Sequence, residues 1–340
     1  MKKFLALIIC AIMTMVCLFT VSCKAEPGTV SIKYYADGSK IVSAILSGKE
    51  NIGVVPEPAA SNLIKKASTQ GKTLYKLDMQ ELYDSQSRAY PQAVLMIKES
   101  VLNTYPQLAT VLKEKFAENV DYVKNNTVEA VNAIFEKLDV TTLQANALST
   151  TAIDGCKIYW QDAVQAKEDV KNYIEDIISI DSSSAKEVTE DFFYDGFVSG
   201  STDKEQLSFY APDGAPSLAI AKFIKDQQNF IEGLTVDYNL VATQSVSTSL
   251  VPAYRGGVAD IIILPVNMAS KFYNEGENTN DNYKLVSVIT HGNFYIISTE
   301  EISVSDLKDN RVAVPQKNAV PDWTFRSMLT KHNLKSSEIY

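Results

Sequence analysis

Histidine is nearly absent from this chain, with two among 340 residues, and neither His291 nor His332 has a second ligand type at metal-binding spacing. Cysteine is scarce too. Of the four, Cys10 and Cys17 fall in an apolar leader and Cys23 at its end, which strands Cys156 and excludes a disulfide framework. A lone cysteine in a helical context reads as a small core hydrophobe rather than a nucleophile. No GxSxG, Walker loop or GxGxxG occurs, so the chain carries no recognisable catalytic residue, metal site or cofactor motif and is read as a non-enzyme. Excess positive charge is also missing. The net charge of −9 argues against nucleic acid and anionic lipid surfaces as partners. Tandem repeats and low-complexity tracts are absent.

What is present begins with a processing signal. Lys2 and Lys3 precede an uncharged apolar run, Phe4 to Val21, that ends in Val21-Ser22-Cys23. The pattern resembles a bacterial lipoprotein signal over residues 1–22, with lipid on the Cys23 sulfur, although Thr20 stands where such signals usually carry Leu. A plain secretory peptide or an uncleaved anchor is the alternative. The implied location is the extracytoplasmic face of the cell envelope, tied to the membrane through a lipid anchor.

Strand and helix patterns alternate over 30–88 (IKYYA, GSKIVSAILSG, NIGVVPEPAA, KTLYKL) and again from 207 to 299 (LSFYA, SLAIAKFIKD, LTVDYNLVA, DIIILPV, KLVSVIT). The IIIL run between Asp260 and Pro265 suits a strand covered on both faces. Residues 91–180 read as helical and dress the second set, while 181–206 is polar and reads as a linker. Such alternation implies an α/β fold of mostly parallel sheets flanked by helices.

The order is unusual. FYAPDGAPSLAIAKF (209–223) reads as an opening, yet begins two-thirds of the way along. The strand and helix of RVAVPQKNAVPDWTFRSMLTKHNL (311–334) need a following strand, and VSIKYYADGSKIVSAILSG (30–48) at the other end supplies one. The chain therefore reads as circularly permuted. One lobe takes 28–88 plus 301–340; the other takes 91–299, divided into a helical part 91–195, a linker 196–206 and a βαβ part 207–299. Crossings near Tyr83–Pro91 and Ser298–Ser303 would act as the hinge.

Segments APDGAPSLAIAKF, DIIILPVNMASKFYNEG, THGNFYIIS, LKDNRVAVPQKNAVPDWTFR, NIGVVPEPAAS and EDFFYDG resemble landmarks of ABC-transporter solute-binding proteins. The similarity is to the SsuA/THI5-like (NMT1-like) group of sulfonate, taurine and thiamine-precursor binders, and it spans nearly the whole mature chain in permuted order. The resemblance implies a two-lobed periplasmic-binding-protein type 2 fold, a small-molecule ligand and an ABC permease as partner. Pyrimidine synthases of the same branch use a cysteine cluster that this chain lacks, so their activity is not implied.

Ligands of open parallel sheets lie beyond the strand carboxyl ends, at helix amino termini. The candidate ligand-binding residues are Asp213, Gly214, Ala215, Ser245, Asn267 and His291 from one lobe, and Gln316, Asn318, Trp323, Tyr35, Asp37 and Glu57 from the other. Tyr35 and Trp323 could stack on a planar ring. Each has a plainer reading beside it. Asp213-Gly214 is a common turn pair, Asp37 an ordinary helix cap, Glu57 a rigid-loop residue, Trp323 a core side chain and His291 a cleft wall. Few basic residues occupy these loops. A thiamine-precursor-like pyrimidine or other planar heterocycle is therefore expected, with alkanesulfonate second and a sensor lipoprotein on the same fold as the rival role.

Overall fold

A computed structural model describes residues 27–83, 90–138, 141, 143–145, 148–275 and 282–338. The leader, the expected lipidation position Cys23 and Tyr340 lie outside the described residues.

The two expected sheets are both present, each of six strands. In chain order the strands are β1 (Gly28–Tyr35), β2 (Ile52–Pro56), β3 (Tyr75–Asp78), β4 (Pro91–Lys98), β5 (Ile158–Asp162), β6 (Gln206–Pro212), β7 (Thr235–Val241), β8 (Ile261–Pro265), β9 (Tyr283–His291), β10 (Phe294–Ser298), β11 (Arg311–Pro315) and β12 (Leu334–Glu338). The first sheet runs β12-β1-β11-β2-β10-β3 and the second β5-β9-β4-β8-β6-β7. Parallel pairing holds for β12-β1-β11-β2 and for β8-β6-β7. Antiparallel strands interrupt it: β10 in the first sheet, β4 and β5 in the second.

Three sequence expectations are corrected here. The helix Val320–Lys331 does not end without a strand, because Leu334–Glu338 forms β12; β1 inserts between β12 and β11, with Val30 opposite Ser336. The stretch 91–180 is not wholly helical, since PQAVLMIK is β4, a central strand almost entirely buried, and Ile158–Asp162 is β5. The polar linker expected from 181 begins later. Phe192 and Phe193 are buried in the core, Phe193 bridges to Leu285, and Glu190 pairs with Lys167 and Lys171.

The remaining linker is pinned. Thr202 N–H donates to Thr104 Oγ1 at 3.0 Å, Tyr105 Oη donates to the Lys204 carbonyl at 2.6 Å, and Lys204 reaches Asp260 at 2.7 Å. Asp260, just ahead of β8, is buried and also holds Lys98 at 2.9 Å and the Ser208 N–H at 3.0 Å. One carboxylate thus ties β4, β6, β8 and the linker together at one edge of the second sheet.

The two sheets share a core. The helix Ala163–Ile180, packed beside β9 and β4, meets the Val320–Lys331 helix through buried Tyr173 and Thr324, 2.6 Å apart. Asp176 on the same helix accepts from Tyr83 and pairs with Lys331 at 2.7 Å.

Candidate functional site: the facing carboxyl edges of two sheets

In the second sheet β6, β7, β8 and β9 end at Pro212, Val241, Pro265 and His291, and antiparallel β4 starts at the same edge, Pro91 opposite His291. In the first sheet β1, β2, β3 and β11 end at Tyr35, Pro56, Asp78 and Pro315, and antiparallel β10 starts there, Phe294 opposite Pro56. Only Gly292 and Asn293 separate β9 from β10. The changeover between sheets therefore falls at 292–293, ahead of the expected 298–303, and β10 belongs with β2 and β3. The two carboxyl edges consequently meet, which is the arrangement in which open α/β sheets bind ligands.

The changeover is tight. A Cβ on Gly292 would stand 2.4 Å from ring carbons of Tyr90 and 2.8 Å from Gln80 Oε1, so only glycine lets the two crossing segments lie together. Asn293 is buried beside it, its Nδ2 3.4 Å from the Glu57 carbonyl, its own carbonyl accepting the Glu57 N–H at 2.9 Å.

His291 is fully buried and lies flat on Tyr159, ring centres 3.6 Å apart and planes within 5°. Its ring nitrogens stand 3.1 Å from Gln161 Oε1 and 3.4 Å from the Lys157 carbonyl. Burial lowers its pKa to about 3, so the ring is neutral at ordinary pH. This arrangement is a wall of the junction rather than a proton carrier.

Glu57 is buried, accepts from Ser61 N–H at 3.0 Å and Ser61 Oγ at 2.7 Å, and pairs with Lys76. It caps the helix Ala59–Thr69 and packs on Gly155 of the other sheet's helical layer, where a Cβ would meet Glu57 Cγ at 2.9 Å. Tyr295 Oη donates to the Gly155 carbonyl at 3.1 Å, while Lys76 sits 3.7 Å from the Tyr295 ring centre. The edges are in contact here.

The other expected residues divide by what already occupies them. Asp37 caps the helix Gly38–Leu46, accepting from the Lys40 N–H at 3.0 Å. Tyr35 Oη donates to Glu50 at 2.7 Å, within a cluster that also holds Lys33 and Arg311. Tyr35 is thereby drawn toward the opposite ends of β2 and β11, away from the role of a stacking platform. Asp213 is buried and accepts from Thr141 Oγ1 at 2.7 Å; Gly214, at φ 110°, opens the short helix Ala215–Leu218, whose first residue is buried. Ser245 lies half-buried in the turn after β7. Gln316 and Asn318 adopt left-handed φ values of 54° and 57° in the turn after β11, and the Asn318 N–H donates to Asp322 at 3.0 Å. Buried Asp322 also accepts from Tyr34 at 2.9 Å; loss of hydration raises its pKa against those bonds.

Buried polar atoms with no protein partner include Asn267 Oδ1 in the first turn of the helix Val266–Glu275, Asn293 Oδ1 between β9 and β10, Trp323 Nε1 in the helix Val320–Lys331, and Tyr90 Oη at the crossing. Asn267 Nδ2 is engaged, donating to the Ser184 carbonyl at 3.1 Å. Buried polar atoms are normally satisfied, so each of these marks a place where the protein alone leaves a bond unmade. Asn293, Lys157 and Asp78 were not singled out from the sequence. Gly292, punctuating two polar residues after an apolar strand, was the one available signal. Among the described residues no group of His, Cys, Asp and Glu could hold a metal ion, and no helix is long and apolar enough to cross a membrane.

No family model matches the chain. No curated protein matches it either. Among solved structures it is similar to NikA from Staphylococcus aureus in complex with Ni(L-His)2, at 9% identity and TM-score 0.32, over 82% of this chain and 59% of that one. It is similar to the ABC transporter substrate binding protein CtaP from Listeria monocytogenes at 12% identity and TM-score 0.33, covering 77% and 53%. The oligopeptide-binding protein AppA from Bacillus subtilis, in complex with a nonapeptide, matches at 8% identity and TM-score 0.27, covering 78% and 54%. The chain spans between 53% and 59% of the length of these three proteins.

Proposed function

We propose that this protein is an extracytoplasmic, lipid-anchored solute-binding receptor that closes two lobes on a small molecule and delivers it to an ABC importer. One observation carries the reading: the carboxyl edges of both sheets meet at the changeover from β9 to β10, and the segments that follow or flank these strand ends include buried polar atoms without protein partners. The lobes are 28–88 with the segment from Phe294 to the end, and 91–291, the expected boundary being moved to keep β10 in its sheet. The segment order is that of a circularly permuted member of the SsuA/THI5-like group, lipidated at Cys23.

The orphan set favours one ligand chemistry. Two amide oxygens call for donors, one indole N–H calls for an acceptor, and the Tyr90 hydroxyl takes either. An aminopyrimidine, the thiamine-precursor-like ligand, offers an exocyclic amine and ring nitrogens together. A sulfonate offers acceptors alone and would leave both amide oxygens unmet.

A thermal-shift screen of aminopyrimidines, nucleobases, alkanesulfonates, sugars and peptides tests this. An aminopyrimidine at a hundredfold excess over its Kd should stabilise the protein by about 2.7 kcal/mol. Stabilisation by sugars or peptides alone would overturn the ligand class, and silence across the whole panel would favour a non-transport role. The permutation has its own test. A chain opened within 196–206 and closed tail to head, through a flexible linker of about ten residues, should unfold in one cooperative step. The linker must run back along the five residues of β12, about 17 Å at 3.3–3.4 Å per residue.

A further inference from the structure

We propose that a cavity between the helices Leu108–Asn125 and Thr150–Gly155 and the start of β5 is a second binding site, taking one aromatic ring that bears a carboxylate. The cavity has a volume of about 120 Å³. An apolar cavity of about 150 Å³ is enough to bind benzene, so this one has room for a single ring. Its walls are Val120, Val123, Ile153, Ile158 and Tyr159. The buried amide at its floor, Asn119, asks nothing of a ligand. Its Nδ2 donates to the Leu218 and Ala219 carbonyls at 3.1 and 2.8 Å, and its Oδ1 accepts the Lys222 N–H at 2.8 Å.

The charged residues set the sign of the guest. Lys124 is neutralised by Asp154 at 2.7 Å. The Lys157 ammonium stands 3.8 Å from Asp78, beyond hydrogen-bond length, with about a third of its side chain exposed. A carboxylate at the mouth would gain charge-assisted bonds from Lys157, the Asp154 carboxylate of the lining being committed to Lys124. Tyr159 is held in place from behind, flat on a neutral His291, so the wall that meets the ring is preorganised. None of the twelve ligand-cleft candidates lines this cavity, and the proposal stands whether or not the cleft reading does. Because Asp78 lies in the first sheet and Lys157 in the layer of the second, a bound carboxylate would compete with a contact that joins the two.

Benzoate, benzylamine and acetate separate the contributions of ring and charge. Calorimetric titration of the purified protein should show benzoate binding at least tenfold tighter than the other two. Lys157→Gln should weaken benzoate at least tenfold while its melting temperature stays within a degree or two of the parent. Val120→Phe, which fills the space with a ring of its own, should abolish benzoate binding. No binding of benzoate, equal binding of acetate or benzylamine, or benzoate affinity unchanged in folded Lys157→Gln would each overturn the proposal.

Discussion

Val30 stands directly across from Ser336 in neighbouring parallel strands, and Ile32 from Glu338, so β1 is flanked on one side by β12 and on the other by β11. Removing residues 334–340 should therefore expose one edge of β1 and uncover Leu334's partners. Burial of one leucine side chain contributes about 1.5–3 kcal/mol, and a loss of that order is expected. Urea unfolding reads it as a lowered midpoint, and an unchanged midpoint would mean that β12 adds nothing to the sheet.

His291→Gln should change how stability depends on pH. In the folded state the His291 pKa is about 3, below its ordinary value of 6.5. Between those values the unfolded chain binds a proton that the folded one does not, so stability rises with pH across this window and falls on acidification. Each unit within it costs up to about 1.4 kcal/mol from this group. Melting temperatures measured from pH 7 to pH 4 should fall less steeply in the variant, and parallel curves would contradict the assignment.

Asp260→Ala removes the common partner of Lys98, Lys204 and the Ser208 N–H. Lys98 is itself buried, and taking one member from a buried pair costs about 3–5 kcal/mol. Denaturant unfolding should show that loss, with proteolytic cleavage appearing first within 196–206 as the linker comes loose. A variant as stable as the parent would show that the linker is held by other contacts.

Trp323→Phe keeps an aromatic ring and deletes the buried Nε1 donor, together with part of the indole packed in the core. Relief of an unsatisfied donor, about 1–3 kcal/mol, opposes the cost of the void, so stability should change little. Affinity for the stabilising aminopyrimidine should drop about tenfold, the equivalent of one lost hydrogen bond of 1.4 kcal/mol. Unchanged affinity in isothermal titration would take Trp323 out of the ligand surface.

Much of the architecture was readable because apolar runs were bounded by clear punctuation. Asp260-IIIL-Pro265 is one such run, and β8 is buried on both faces as its composition demands. PQAVLMIK escaped for the same physical reason that makes it central. A strand covered on both faces has no alternation, and beside helical neighbours its apolar run looks like part of a helix. Phe192 and Phe193 were obscured by the acidic and polar residues around them, which face solvent while the two rings turn inward. At the site, the loops were legible from strand ends and turn residues. The commitments of their side chains were not, because these depend on distant partners: Tyr35 on Glu50, Asp213 on Thr141, His291 on Gln161 and Tyr159. Asp37 and Glu57 turned out to serve helix starts, the plainer of the two readings for Asp37.

The place of β1 between β11 and β12 also governs when this sheet can exist during biosynthesis. The ribosome delivers Val30 about three hundred residues before Ser336. At about 5–20 residues per second, β1 waits on the order of tens of seconds with both edges unsatisfied. A holding chaperone on the early strand is thus a predictable requirement of expressing this polypeptide, and withholding one should divert newly made protein into aggregates seeded at the amino-terminal segment.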